Sequence, residues 1–166
     1  MTRGAQDADN DSEPGVGNFY LRDHALLLLA SYRRLTGRDL LPAALPTLQA
    51  ARDLYHAPFV VLSHDTAADP VFTYANLTAQ RLFEMPWPEI VGMPSRLSAE
   101  SPLREERQRL LDRVAANGYI DDYRGVRIAR TGRRFMIGNS TVWNLIDDRG
   151  GKVGQAATFS EWLPVP

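Results

Sequence analysis

Histidine and aspartate side chains lie close together in one stretch of the chain, where they could hold a metal ion. His56, His64, Asp65 and Asp69 are of the types that bind zinc or iron. Their spacing matches no rigid metal-binding motif. The two histidines stand where a helix and a strand are predicted to end, and side chains at such positions commonly make capping and turn hydrogen bonds. We therefore interpret the four residues as structural and predict no metal site.

The run Ser63, His64 and Asp65 contains the residue types of a hydrolytic triad. Successive side chains of a strand point to opposite faces, so three neighbours cannot converge on one substrate atom. The sequence also has no G-x-S-x-G elbow and no HExxH helix. Its cysteine count of zero excludes thiol nucleophiles, disulfides and cysteinyl cofactor adducts. We predict that the protein is not an enzyme.

A group of arginines surrounds one predicted hairpin and could attract an acidic partner or a phosphate. They are Arg124, Arg127, Arg130, Arg133 and Arg134. Edge strands often carry such charges, which prevent pairing with other chains, so we favour a solvated edge. The net charge of -1 gives the whole chain no general attraction to nucleic acid or to an anionic membrane. We predict neither as a partner.

The length of 166 residues, with 44% of them hydrophobic, indicates one globular domain and a modest extension. Residues 1–17 are acidic and lack the apolar core of a signal peptide, which predicts a disordered tail. The longest apolar run, residues 25–30, is far shorter than the roughly 20 residues that cross a bilayer. We expect a cytoplasmic protein.

The spacing of apolar residues predicts two groups of helices, each followed by strands. The predicted helices cover residues 18–35, 47–56, 76–83 and 102–117, with Asn76 as the N-cap of the third. The predicted strands cover residues 58–63 and 71–75, and the segments IDDYRGVRIAR, RRFMIGNSTVWNLID and KVGQAATFSEW after Gly118. The second of these segments is apolar on both sides, so both faces of the sheet must be covered. The N-terminal helices are the natural cover for one face.

Several motifs along the chain are typical of one kind of domain. Tyr74, Ala75 and Asn76 at the start of a helix, and the run EIVG after it, are general signals of PAS domains. Four longer segments are more specific: ARDLYHAPFVVLSHD, PSRLSAESPLREERQRLL, YIDDYRGVRIARTGRRF and VWNLIDDRGGKVGQAATFSEW. Over about residues 18–162 the chain resembles the MEKHLA family. This is a PAS-like domain that occurs alone in bacteria and at the C-terminus of plant class III homeodomain leucine-zipper regulators.

The resemblance implies an α+β fold. It would be a PAS-like five-stranded antiparallel sheet with helices on one face and an N-terminal helical extension covering the other. Together with the order of elements, it predicts three parts of the chain. These are a disordered acidic tail (residues 1–17), the helical extension (residues 18–57) and the PAS-like core (residues 58–163).

The same resemblance implies a non-enzymatic sensory or regulatory module. Such a module would bind a small molecule or a partner protein and signal through association. The partner would be another protein, or a second copy of the chain joined through the N-terminal helix. An alternative is a ligand-free dimerisation module that uses the apolar stripe of residues 19–35. No cofactor is required for either function.

A PAS-like pocket would lie between the sheet and the central helices, with polar groups orienting a ligand among apolar walls. The candidate ligand-binding residues are Asn76, Ser95, Arg96, Asn139, Asn144 and Gln155. The asparagines and the glutamine could equally serve as helix caps and strand-end hydrogen bonds.

A bound flavin is a third alternative, because the segment GMPSRL is similar to the flavin-binding motif of LOV domains. Ser95 stands where that motif has a cysteine, and Gln155 falls where LOV domains keep a flavin-facing glutamine. The asparagine expected just after Phe135 is displaced to Asn139. A serine cannot supply the thiolate of the LOV photoadduct, so that photochemistry is excluded even with a bound flavin.

Overall fold

The computed structural model of the protein describes residues 12–99 and 104–166. Most of the predicted tail, residues 1–11, and the predicted start of the fourth helix, residues 102–103, lie outside these ranges. No helix in the described part of the chain is long and apolar enough to span a membrane.

Helices and strands alternate in two groups, as the sequence predicts. The α-helices are α1 (Arg22–Thr36), α2 (Thr47–Tyr55), α3 (Leu77–Phe83), α4 (Trp87–Ile90) and α5 (Arg104–Asn117). Two short 3₁₀ helices cover Val16–Leu21 and Ser95–Ser98. The strands are β1 (Val60–His64), β2 (Phe72–Ala75), β3 (Tyr119–Ile128), β4 (Arg134–Ile146), β5 (Lys152–Phe159) and β6 (Glu161–Val165).

The strands form one antiparallel sheet in the order β2-β1-β5-β4-β3, with β6 also paired to β4. The prediction of five strands is corrected to six, because the segment KVGQAATFSEW contains a break at Ser160. On the same side of β4, β5 pairs with residues 141–146 and β6 pairs with residues 134–138. β4 extends past the end of β5, and the sixth strand supplies partners for its backbone donors and acceptors there.

Helices cover both faces of the sheet. On one face, Val61, Trp143 and Ala156 pack with residues of α1 and α2 in a buried core. On the other face, Leu62 and Ile137 pack with residues of α3 and α4, and α5 covers the adjoining part of β3 and β4. The predicted α+β fold, with helices on one face and the N-terminal helices on the other, is confirmed.

α1 is attached to the sheet by hydrogen bonds as well as by apolar contacts. Ile146 N donates to Ser31 Oγ at 2.9 Å, and Trp143 Nε1 donates to Leu28 O at 3.3 Å. The rings of Tyr32 and Trp143 meet edge to face with their centres 5.0 Å apart. α1 is therefore an integral part of the fold.

The first α-helix begins later than the sequence predicts. Phe19, Tyr20 and Leu21 have φ angles of 55°, 54° and 50°, and α1 begins at Arg22. This left-handed backbone is unfavourable for residues with a side chain, by roughly 1–2 kcal/mol each. The apolar spacing that predicts a helix from residue 18 carries no information about this turn.

Part of the predicted tail, residues 12–17, is held in place by contacts. Glu13 Oε1 accepts a hydrogen bond from Tyr55 Oη of α2 at 2.5 Å, and Pro14 is buried. Gly15 N donates to Asn18 Oδ1 at 2.9 Å and closes the turn before α1. An ordered turn thus stands where the sequence places the end of the tail. The boundary between extension and core stays a prediction.

A buried amide joins three elements at the start of α3. Asn76 Oδ1 accepts hydrogen bonds from Ala79 N and Val61 N, each at 3.1 Å. Its Nδ2 donates to Leu54 O at 3.2 Å and to Phe59 O at 2.8 Å. The predicted N-cap is confirmed, and the same side chain also ties α2 and β1 to α3.

Replacing Asn76 with alanine should destabilise the fold by about 2–4 kcal/mol, because it removes a helix cap and leaves buried backbone groups without partners. Urea denaturation followed by tryptophan fluorescence measures the free energy of unfolding. Asn117→Ala is the matched control, since Asn117 makes one exposed hydrogen bond, to Arg113 O at 3.2 Å. That change should cost less than about 0.5 kcal/mol. Equal losses in the two variants would contradict the role assigned to Asn76.

Candidate functional site

A partly open cavity of about 70 Å³ lies between the sheet and α5. A single buried water needs roughly 10–15 Å³, so the cavity has room for several waters or a small organic molecule. Its apolar wall includes Leu62, Phe72, Phe83, Ile137 and Phe159. Its polar lining includes His64, Ser95, Ser98, Arg107, Arg127 and Gln155.

The close approach of β5 to β1 forms one wall of the cavity. A Cβ atom on Gly154 would lie 2.6 Å from His64 O, closer than two such atoms can pack, so only glycine fits between the strands. The register then places Gln155 opposite His64. Gly154 thus allows two polar side chains from neighbouring strands to line the same wall.

Two of the six predicted ligand-binding residues line the cavity. Ser95 comes from the second 3₁₀ helix and Gln155 from β5, and both are almost fully buried. Gln155 Nε2 donates to Asn144 Oδ1 at 3.3 Å, and Asn144 Nδ2 donates to Val114 O at 3.5 Å. Asn144 thus holds Gln155 in position from β4 without lining the cavity itself.

The other three predicted residues lie away from the cavity. All the side-chain polar atoms of Asn76 are used in the four hydrogen bonds that join α2, β1 and α3. Arg96 Nε donates to Asp69 Oδ1 at 3.1 Å in an exposed ion pair. Asn139 is exposed on β4, and its Nδ2 donates to Glu161 Oε2 at 3.1 Å. For both asparagines, the structure shows the capping or strand-end role that the sequence left open.

Two arginines outside the set of six predicted ligand-binding residues line the cavity. Arg107 enters from α5, and its Nη2 donates to Ser95 Oγ at 2.5 Å. Arg127 enters from β3, where its Nη2 donates to Tyr123 Oη at 3.0 Å and its guanidinium carbon lies 5.5 Å from the centre of that ring. Among residues 12–99 and 104–166, neither guanidinium forms an ion pair with a carboxylate.

The sequence does carry a signal for Arg107. This arginine stands three, four and seven residues before Leu110, Leu111 and Val114, so it shares the apolar face of α5. A cation on the buried face of a helix is unusual, because burial removes its hydration. Helical spacing therefore indicates that Arg107 points towards the sheet.

Arg127 belongs to the arginine group that the sequence predicts to form a solvated edge. Arg130 and Arg133 do lie on the surface, paired with Glu89 at 2.9 Å and with Glu84 at 3.2 Å. Arg127 instead turns inwards. The sequence around Arg127 does not show that this arginine alone points inwards. β3 has register shifts before this point, and they disturb the alternation of side chains between its two faces.

His64 presents a neutral ring to the cavity. Its Nδ1 lies 2.8 Å from Asp65 O, and a carbonyl oxygen can only accept, so Nδ1 carries the proton. Burial lowers the pKa of His64, and the positive charges of Arg107 and Lys152 lower it further. The hydrogen bond to the Asp65 backbone and the charge of Asp65 act in the opposite direction. Nε2 is therefore a hydrogen-bond acceptor near neutral pH.

The residues weighed as metal ligands do not converge on one point. Asp65 Oδ1 accepts hydrogen bonds from Ala67 N at 3.2 Å and Val71 N at 3.1 Å, which is the turn role that the sequence favours. Asp69 pairs with Arg96. In the described ranges, no group of three or more histidine, aspartate or glutamate side chains lies close enough to hold a metal ion.

A chain of polar contacts lies on the opposite face of β1. Ser63 Oγ is 2.9 Å from His24 Nε2 of α1 and 2.8 Å from Thr73 Oγ1 of β2. The His24 ring stacks on Tyr74 with ring centres 5.6 Å apart. Burial lowers the pKa of His24 to about 4. The strand that carries Ser63 thus contacts α1 on one face and the cavity on the other.

A family model described as MEKHLA domain matches residues 22–164. This match covers all of the segments on which the resemblance rests. No curated protein sequence matches the chain significantly.

Solved structures with a similar fold are PAS and LOV domains. The PAS domain of a protein from Colwellia psychrerythraea has a TM-score of 0.60 and 13% identity over 70% of this chain and 94% of that chain. The light-state dimer of the fungal blue-light photoreceptor Vivid has a TM-score of 0.56 and 16% identity over 83% of this chain and 93% of that chain. An RNA-binding light-oxygen-voltage receptor has a TM-score of 0.60 and 20% identity over 76% of this chain and 35% of that chain. At these identities the similarity concerns the fold alone.

The stability of the fold should depend on pH through His24. Its pKa is lowered from 6.5 to about 4, so between these values the unfolded chain binds a proton that the folded chain does not. Stability therefore falls as the pH is lowered through this range, and the lowered pKa of His64 acts in the same direction. His24→Gln keeps a hydrogen-bonding group near Ser63 but cannot titrate. Between about pH 7 and about pH 5, this variant should lose less stability than the wild type in urea denaturation.

His56→Gln is the control, because it removes an exposed imidazole at the end of α2. The stability that this variant loses between the two pH values should be closer to the wild-type loss than the loss of His24→Gln is. If His24→Gln and the wild type lose the same stability, burial of the His24 ring does not contribute to the pH dependence.

Proposed function

The chain belongs to the MEKHLA domain family, and we propose that it is a non-enzymatic sensory module that binds a small molecule in the cavity beside α5. Occupancy of the cavity would change how strongly the chain associates with a partner protein or with a second copy of itself. A ligand acts in this way when it binds one conformation more tightly than another.

The observation that carries this proposal is the cavity with its buried polar side chains. Protein interiors leave few voids larger than a water molecule. Here Gln155 and Ser95 are 3% and 2% exposed and line a cavity whose walls are otherwise largely apolar. A few polar groups among apolar walls are typical of sites that orient a small ligand.

β1 provides a physical connection from the cavity to the N-terminal helices. Leu62 and His64 line the cavity, and Ser63 between them contacts His24 of α1. A ligand that displaced β1 by a fraction of an ångström would alter the 2.9 Å contact between Ser63 Oγ and His24 Nε2. The position of α1 on the sheet would then depend on occupancy of the cavity.

The hydroxyl groups at the site are poorly placed for nucleophilic catalysis. Ser63 lies beside His24, as a serine nucleophile lies beside its base, but Ser63 is 1% exposed and the pair faces α1. Ser95 Oγ accepts a hydrogen bond from the cationic Arg107, and among the described residues no basic side chain is hydrogen-bonded to its hydroxyl proton. These contacts support a binding function over an enzymatic one.

A ligand-free dimerisation module is the second candidate. Much of the apolar stripe of α1 is used inside the chain, where Ala25, Leu28 and Tyr32 are buried against the sheet. Phe19 and Val16, in the turn before α1, are 57% and 81% exposed. Dimerisation through the N-terminal region would therefore use this turn and not the buried stripe.

A flavin-binding module is the third candidate, favoured by the LOV domains among the proteins of similar fold. Ser95 and Gln155, which occupy the LOV positions, are bonded to Arg107 and to Asn144. Both side chains would have to exchange these partners for a flavin. Without cysteine the chain cannot form the LOV photoadduct. The absorption spectrum of the purified protein reports directly whether a flavin is bound.

The first experiment is a native mass spectrum of freshly purified protein beside its denatured mass. A small ligand should appear as extra mass that is lost on denaturation. A bare dimer would favour the dimerisation module, and a bare monomer that takes up no small molecule would contradict the proposal.

Gln155→Leu should reduce the retained ligand at least several-fold, because the amide is replaced by an apolar group of similar size. The melting temperature should fall moderately, because Asn144 Oδ1 loses the hydrogen bond from Gln155 Nε2, but the variant should stay folded. The measurement is the fraction of ligand-bound protein in the native mass spectrum. Gln108→Leu, an exposed glutamine on α5 that contacts Asp112 at 3.2 Å, is the control and should retain the ligand. Full retention by folded Gln155→Leu would remove Gln155 from the site.

A further inference from the structure

Among the described residues, the two cavity arginines lack the carboxylate partners that nearby arginines have. Arg96, Arg130 and Arg133 each form an ion pair with a carboxylate. Arg107 and Arg127 each make one hydrogen bond among the described residues, and both of these go to neutral hydroxyl groups. A guanidinium has five N–H donors, so most of the donors on these two groups are available to a ligand.

The charges around the two guanidinium groups leave this part of the cavity positive. Of the acidic residues in the described ranges, Asp69 is the one that acts on Arg107, but its carboxylate is already bound by Arg96 at 3.1 Å. The neighbouring imidazole of His64 is neutral. Burial lowers the pKa of Arg107, and the positive charge of Arg127 lowers it further because two nearby cations repel each other. An anion between them would relieve both the repulsion and the loss of hydration.

We propose that Arg107 and Arg127 form the anion-binding end of the cavity and take the carboxylate of a small organic acid. This inference rests on the proposed function and specifies its ligand. Planar guanidinium groups match the geometry of carboxylate oxygens and bind them through paired hydrogen bonds. Ser95 Oγ, already within 2.5 Å of Arg107 Nη2, is placed beside the same carboxylate.

The rest of the cavity determines the body of this acid. Phe72, Phe83 and Phe159 belong to the wall and would pack against an apolar chain or ring. The volume of about 70 Å³ restricts the ligand to a small molecule. The acid is therefore a short aliphatic or monocyclic aromatic carboxylate. A phosphate ester of the same size shares this chemistry and is separated by experiment.

The test uses the full chain and three probes of similar shape in isothermal titration calorimetry: benzoate, phenyl phosphate and benzyl alcohol. Benzoate should bind, and benzyl alcohol should bind at least tenfold more weakly because it lacks the charge. Arg107→Gln and Arg127→Gln should each raise the dissociation constant for benzoate roughly tenfold or more. Arg109→Gln removes an exposed arginine from the same helix and should leave it unchanged.

Each outcome separates this inference from the function on which it rests. Equal binding of benzyl alcohol and benzoate, or unchanged binding of benzoate to folded arginine variants, overturns the carboxylate site but leaves a small-molecule module. Tighter binding of phenyl phosphate than of benzoate overturns the assignment to a carboxylate in favour of a phosphate ester. If no probe binds and the purified chain carries no ligand, both the site and the proposed function are contradicted.

A second measurement needs no ligand. Arg107→Met removes a cation that has no carboxylate partner within residues 12–99 and 104–166, but it keeps much of the side-chain volume, so it should raise the melting temperature of the ligand-free protein. Arg109→Met is the control and should leave the melting temperature nearly unchanged. If Arg107 served the fold through its contact with Ser95, Arg107→Met would lower the melting temperature, and that result would count against the binding role.

Discussion

Apolar side chains line both faces of the sheet, so water must be excluded from both of them. This constraint explains why the N-terminal helices are part of the fold. α1 and α2 cover one face through Trp143 and its neighbours, and α3, α4 and α5 cover the other. Asn76 links the two layers, because its single buried amide bonds to the end of α2, to β1 and to the start of α3. The sheet is therefore held between helices on both faces.

The cover on the α5 face is incomplete, and the cavity is the result. At the position where α5 would continue its apolar stripe, Arg107 carries a guanidinium into the interior. Charged groups are normally excluded from such places unless they are paired. Within the described residues Arg107 has no carboxylate partner, so this arrangement is electrostatically unfavourable, as is expected if the cavity is the proposed ligand site.

Much of the architecture could be predicted from the sequence, and the errors have identifiable causes. Hydrophobic periodicity located α1, α2, α3, α5 and the strands to within a few residues, because it records which side of an element is buried. It merged β5 with β6, since the break between the two strands at Ser160 leaves the apolar pattern intact. It also extended α1 through Phe19, Tyr20 and Leu21, whose left-handed backbone depends on contacts formed by the preceding turn.

For the candidate site, the sequence by itself determined the chemical types available and the fold that would arrange them. The resemblance predicted Ser95 and Gln155 as ligand-binding residues, and the absence of cysteine excluded thiol chemistry. The tertiary structure decided which polar side chains face the cavity. It used Asn76 as a cap, turned Asn139 to the surface and brought Arg107 and Arg127 together from α5 and β3. These two arginines are twenty residues apart in the sequence, and their separation in space depends on how a helix packs against a sheet. Local sequence patterns do not encode that distance.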